Sequence, residues 1–179
     1  MEAADTAIAL RPLEPEDSAI TLTWRHNPEM MRMVVAPRRT ITAEIEQRWI
    51  EQAIVDHREG RHLRFGIVRP DGRLIGAVHL THIDRENRHC RTGIMIDPSE
   101  QGRGRGRQAY ALALPIAFGE LGMNGVRAYV LHYNTASQRL YTALGFQLEG
   151  RQRQAVYKDD AFHDLLMYSL LRDEPGATR

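Results

Sequence analysis

Apolar and polar positions along the 179 residues follow a sequence of changing periods, and each period predicts an element. Residues 8–13 alternate and predict a short opening strand. Glu16-Asp17-Ser18 then offers N-terminal capping for a helix running to about Trp24. After Asn27-Pro28 comes a looser segment whose methionines, Met30, Met31 and Met33, are expected in the core. Thr42 caps a further helix, where Ile45, Trp49, Ala53 and Ile54 recur at near-helical spacing until Gly60. Residues 63–68 and 74–83 are β-rich and joined by the turn Pro70-Asp71-Gly72. A second polar turn at 84–87 leads into the run 90–96, so the middle of the chain reads as an antiparallel meander. Helical spacing returns at 108–121, with Leu112, Ile116, Ala117 and Leu121 along one side and a bend expected at Pro115. A strand at 126–132, a short helix at 136–144 stopped by Gly145, and strands at 146–157 and 162–171 complete the order. One α/β domain over residues 1–174 follows, with a frayed tail at 175–179.

Composition narrows the class. Hydrophobic residues make up 42% and charged residues 26%, an ordinary globular balance. Lys plus Arg number 24 against 23 for Asp plus Glu, which argues against a nucleic-acid or anionic-membrane binder. No apolar run approaches the ~20 residues that span a bilayer. The start, Met1-Glu2-Ala3-Ala4-Asp5, lacks the basic and apolar blocks of a signal peptide. One cysteine, Cys90, permits no internal disulfide and suits a reducing compartment, so a cytoplasmic protein is expected. The eight histidines show no metal-binding spacing, and no metal is expected.

The sharpest chemical signal is Gln101-Gly102-Arg103-Gly104-Arg105-Gly106-Arg107, between a predicted strand and a predicted helix. Alternate glycines let the backbone curl until several N–H groups converge on an anion. The helix N-terminus adds unpaired N–H groups, and three arginines add charge, so a diphosphate is the expected guest. A nucleoside-triphosphate loop would need a Gly-Lys-Ser/Thr ending, which is missing. Gly104, Gly106 and Ala109 satisfy a dinucleotide spacing, yet the next strand ends at His132-Tyr133-Asn134 without the acidic residue that holds a ribose. Downstream, Thr135 and Gln138 have capping-box spacing, which leaves the Asn134 amide free for a ligand and places Tyr141 two turns on.

With these two segments the chain resembles the GNAT superfamily of acyl-CoA-dependent N-acetyltransferases. The family's Gln/Arg-x-x-Gly-x-Gly/Ala signature corresponds to residues 101–106, and its later element corresponds to Asn134, Tyr141, Gly145 and Phe146. Leu10-Arg11-Pro12-Leu13, Trp24-Arg25 and Asp164-Leu165-Leu166-Met167 resemble the branch acting on ribosomal-protein N-termini, aminosugars or polyamines. The resemblance implies a mixed, mostly antiparallel sheet of six to seven strands flanked by about four helices. It implies acetyl transfer from acetyl-CoA to a primary amine, on a small molecule or a peptide N-terminus, by a monomer or homodimer.

In the implied site Ile94, Met95 and Ile96 supply a strand edge for pantetheine, and residues 102–107 hold the pyrophosphate. Asn134 and Ser137 contact the coenzyme, and Tyr141 protonates the departing thiolate as general acid. Trp24 and Arg25 are candidates for the acceptor pocket. The stretch Cys90-Arg91-Thr92-Gly93 holds no carboxylate, so the base is open among His79, His82, Glu86, Glu149 and none at all. His79 and His82 are three positions apart, which predicts opposite strand faces. A coenzyme A-binding domain without turnover is the alternative.

Overall fold

A computed structural model describes residues 7–36 and 39–177. The expectations for residues 1–5 and for 178–179 lie outside the described residues. Seven strands form one sheet: β1 (Ala9–Pro12), β2 (Leu63–Val68), β3 (Leu74–Asp84), β4 (His89–Ile96), β5 (Gly125–Leu131), β6 (Gln147–Lys158) and β7 (Ala161–Leu171). Their order is β1-β2-β3-β4-β5-β7-β6. Among the described residues five α-helices accompany them: α1 (Asp17–His26), α2 (Pro28–Arg32), α3 (Ala43–Arg58), α4 (Arg105–Pro115) and α5 (Thr135–Ala143).

Burial follows position in the sheet. β2 is buried along almost its whole length and β3 through most of residues 74–81, whereas β6 at the edge is exposed along almost all of its length. The pair β4–β5 is parallel and every other pair is antiparallel. A parallel pair needs a long crossover, and α4 supplies it. Ala109, Tyr110, Ala113, Leu114, Ala117 and Phe118 form the buried stripe of this segment, while Leu112 is 41% exposed. The stripe thus lies rotated from the expected one, because three alanines let the helix settle closely on the sheet. The bend expected at Pro115 takes the form of a π-helical turn, Ile116–Glu120, where proline has no N–H to continue the α pattern.

Met30 and Met31 are buried as expected, but Met33 is 42% exposed. Cys90 is fully buried, and burial alone pushes its thiol up to about 12, which leaves it inert at neutral pH.

Two backbone details depart from simple expectation. The β3–β4 register shifts between Thr81 and Asp84, where His82 adopts φ 49°, so strand alternation breaks at this residue. The tail does not fray at residue 175: Ala177 is 7% exposed, and its N–H donates to the Glu174 carbonyl at 2.9 Å. Gly176 lies so close to the Leu144 carbonyl that a Cβ would approach it to 2.0 Å. Only glycine fits there, and that contact docks the C-terminal turn on the end of α5.

Truncation after Glu174 is therefore expected to remove about 1 kcal/mol of burial. Melting of the truncated chain should fall by about 2–4 °C, and an unchanged melting temperature would show that the turn contributes nothing.

Candidate active site

Hydrogen-bonded pairing between β4 and β5 runs from His89 opposite Gly125 to Thr92 opposite Ala128. Beyond that, β4 continues to Ile96 with only β3 beside it. Residues 93–96 thus carry an edge of backbone groups with no strand partner among the described residues. A cavity of about 1060 Å³ opens at the split. Strand alternation sends Thr92, Ile94 and Ile96 towards α4, and Arg91, Gly93 and Met95 towards the opposite face. The cavity therefore reaches both faces of the sheet. Of the residues expected to bind the coenzyme, Arg103 alone does not line it.

On the α4 side, Gly102 and Gly104 have φ of 73° and 75°, and a Cβ built on either meets nothing within 4 Å. Gly104 is the N-cap of α4 and provides no side-chain cap, so the first N–H groups of the helix face outward without intrahelical acceptors. That is an anion cradle made of backbone. Gln101 supports it by donating from Nε2 to the Ile96 carbonyl at 2.9 Å. The arginines behave differently from expectation. Arg105 is 3% exposed and paired with buried Glu100, which also accepts from Arg69 at 3.1 Å. Its aliphatic and charged parts anchor the loop from within. Arg107 donates to the Ala143 carbonyl at 3.3 Å, bridging α4 to the end of α5.

Asn134, not Thr135, is the N-cap of α5: its Oδ1 accepts from the Ser137 N–H at 3.0 Å. Gln138 reaches the His132 carbonyl instead of closing a capping box. The Asn134 amide nitrogen is also engaged, donating to the Met33 carbonyl at 3.1 Å. Tyr141 borders the cavity yet is only 3% exposed, and its hydroxyl lies 2.8 Å from that of Tyr110. Burial pushes the Tyr141 phenol up to about 12, with the Tyr110 hydrogen bond acting in the other direction.

This combination of a split parallel pair, an open strand edge and a backbone cradle fits a pantetheine arm ending in a pyrophosphate. Comparison with known proteins agrees. A family model described as an acetyltransferase (GNAT) domain matches residues 8–147. The chain belongs to the GNAT acetyltransferase family. It is 30% identical over 170 residues to an uncharacterised N-acetyltransferase, p20, of Bacillus licheniformis, covering 93% of this chain and 94% of that one. It is 29% identical over 168 residues to a spermidine N(1)-acetyltransferase of Escherichia coli K12, covering 94% and 88%. The fold superposes with TM-score 0.85 on a crystal structure of spermidine N-acetyltransferase from Vibrio cholerae in complex with CoA and spermine. That match has 22% identity and covers 93% of this chain and 96% of that one. The protein is thus an acetyl-CoA-dependent N-acetyltransferase.

The other face of this GNAT fold holds the acceptor candidates. Trp24 is 3% exposed and its Nε1 donates to Asp97 Oδ2 at 3.0 Å, fixing α1 to the end of β4. Arg25 pairs with buried Glu46 at 3.4 Å and lies over the Trp49 ring, with Arg64 also against that ring. His79 stands against Gly93, where a Cβ would meet its ring at 2.6 Å. Burial, then Arg64, His82 and His62, lower His79 to about 4. His82 lines the same cavity, contrary to the alternation argument, because its left-handed φ reverses the side chain. Neither Glu86 nor Glu149 lines it, and Glu149 accepts from Ser169.

Sequence reasoning missed a strap. Residues 31–36 cross the cavity, and donors from beyond it hold five of their carbonyls. Lys158, 4% exposed, donates from Nζ to Met31 at 2.6 Å, Val34 at 2.7 Å and Ala36 at 3.2 Å. Tyr133 donates to the Arg32 carbonyl at 2.8 Å, and Asn134 holds Met33. A lysine in a polar turn reads as a solvated charge, so no local signal marks this role.

Replacing Lys158→Met should leave those carbonyls without their ammonium and cost about 2 kcal/mol. Limited proteolysis should then cut within residues 30–36 faster than in the parent chain. Equal cleavage rates would show that the strap does not depend on Lys158.

Proposed function

We propose that acetyl-CoA binds from the α4 side, and that the acceptor amine enters from the face carrying His79, Arg91 and Trp49. The observation that carries this reading is the cavity passing through the β4–β5 split, with the backbone cradle on one side and the acceptor candidates on the other. Residues 94–96 hold the pantetheine arm as an added strand would be held. The N–H groups of residues 102–107 hold the pyrophosphate, with Arg107 as an exposed cation lining the same cavity. Asn134 and Ser137 form the wall at the start of α5. The thioester supplies an activated acetyl group. Tyr141 donates a proton to the departing sulfur, since a phenol held at about 12 stays protonated at neutral pH.

His79 stays neutral above about pH 4 and accepts a hydrogen bond from the amine without repelling it. The same low basicity makes it a poor proton abstractor, so the amine reacts from its own neutral fraction. Around the acceptor mouth, Arg25, Arg64 and Arg91 stand with His62, His79 and His82 against the carboxylates Glu29 and Glu46. Glu46 is already paired with Arg25. This balance favours a peptide N-terminus or an amino compound carrying an anion over a polycation such as spermidine. A single buried cysteine suits action in the cytoplasm, as a monomer or homodimer.

Thermal melting with acetyl-CoA, NAD and ATP in parallel tests the donor site. Acetyl-CoA at ~100 times its dissociation constant should stabilise the fold by about 2.7 kcal/mol. Gly104→Val, which forces a branched side chain to φ 75°, should abolish that shift. A shift with NAD and none with acetyl-CoA would exclude the proposed site.

The pH dependence follows from His79 being lowered rather than raised. Below the acceptor's own pKa, kcat/KM should fall tenfold per pH unit as the amine protonates. An added inflection near 6.5 would assign the deprotonation to a histidine of ordinary basicity.

A further inference from the structure

Behind Tyr141 lies a buried row of hydroxyls that ends on a backbone carbonyl. The Tyr141 and Tyr110 oxygens are 2.8 Å apart, and Tyr110 lies 3.2 Å from Thr92 Oγ1. Thr92 donates to the His79 carbonyl at 2.8 Å. Each hydroxyl carries one proton. Thr92 commits its proton to the carbonyl, so Tyr110 donates to Thr92 and Tyr141 donates to Tyr110. The resting row therefore points inward, away from the cavity.

Tyr110 is fully buried and does not line the cavity, so it touches neither substrate. Its ring packs edge-on against Tyr141 at 5.6 Å and against Phe146 at 6.3 Å, contacts that phenylalanine would make equally well. The hydroxyl needs another explanation, because burying one costs free energy unless it is bonded. A proton donor leaves an anion behind. Burial opposes a phenolate at Tyr141, and Tyr110 is the neighbour that eases its formation.

We infer that Tyr110 is a positioning residue for the reaction: it orients the Tyr141 hydroxyl at rest and turns its own O–H onto the Tyr141 oxygen as that oxygen loses its proton. The inference rests on the reading of Tyr141 as the proton donor. In the step, the Tyr141 O–H bond breaks and an S–H bond forms on the leaving thiolate. The Tyr141 O–H turns from Tyr110 towards the sulfur while Tyr110 exchanges its acceptor from Thr92 to Tyr141, so two hydroxyls rotate and Thr92 keeps its bond to the His79 carbonyl. The proton released when the amine becomes an amide restores neutral Tyr141.

The test is a double-mutant cycle on Tyr110→Phe, Tyr141→Phe and the two together, measured by thiol release with an amine that the parent enzyme acetylates. Tyr110→Phe should lower kcat about 10- to 100-fold, the worth of one hydrogen bond to a charged group, with KM for acetyl-CoA unchanged. In the Tyr141→Phe background the same change should lower kcat no further. Losses that multiply, or an unchanged kcat in Tyr110→Phe, would overturn the inference. Should Tyr110→Phe fail to fold, Thr92→Val decides. It leaves Tyr141 as the acceptor for Tyr110 and should lose far less activity than Tyr141→Phe, and an equal loss would overturn the inference. A parent enzyme that binds acetyl-CoA but acetylates no amine would instead remove the reading of Tyr141 on which the inference stands.

Discussion

Backbone pairing between β4 and β5 ends at Thr92 and Ala128, and the geometry of the site follows from that ending. Parallel strands share a slanted ladder, and a crossover helix must return over one face to begin the second strand. Here that helix, α4, begins at the glycine turn directly after β4. The free edge of residues 93–96 and the uncapped start of α4 are thus consecutive along the chain. Both are made of backbone groups, so the edge and the cradle exist before any charged side chain is added. Gly93 stands at the split itself, where the His79 ring fills the space that a Cβ would need.

Charge is arranged around this backbone scaffold rather than inside it. Glu100 collects Arg69 and Arg105 beneath the loop, and burial there is tolerated because both partners are cations. Desolvation pulls Glu100 upward and the two guanidinium groups pull it down, and the guanidinium groups prevail. Arg105, one of the three loop arginines expected to add charge for a diphosphate, is thereby a structural member. On the opposite face, His79 is kept neutral by the same combination of enclosure and neighbouring cations. Tyr141 likewise remains a phenol at neutral pH because enclosure disfavours its anion. Both groups are held in their uncharged forms, which suits a reaction between a neutral amine and a thioester.

The strap at residues 31–36 joins the two faces. Its carbonyls are held by Tyr133 and Asn134 at the start of α5 and by Lys158 from the β6–β7 hairpin. Asn134 also caps α5, the helix that carries Tyr141. One amide side chain therefore ties the strap to the start of α5. A shift in the strap and a shift in α5 are mechanically linked through it.

Local chemistry made much of this legible before any tertiary contact was known. Thr42 capping α3, the Pro70-Asp71-Gly72 turn and the glycine loop between strand and helix all act through neighbouring backbone, so the chain itself determines them. Paired with Asn134, Tyr141 and Gly145-Phe146, the loop also identified the family. Other features depend on residues far apart in the chain and carry no local period. Arg105 reads as a surface cation until Arg69 and Glu100 are folded around it, and Lys158 reads as a turn residue until residues 31–36 lie across it. The buried stripe of α4 was misplaced because periodicity marks an apolar face, while close packing on the sheet selected the alanine face that carries Tyr110. His82 reached the cavity because one left-handed residue overrides strand alternation. What the sequence determined by itself was most of the elements whose hydrogen bonds close within a few residues, short of the helix α2 and the Asn134 cap of α5. Tertiary structure alone decided which polar groups are buried together, because desolvation and pairing act through space and not along the chain.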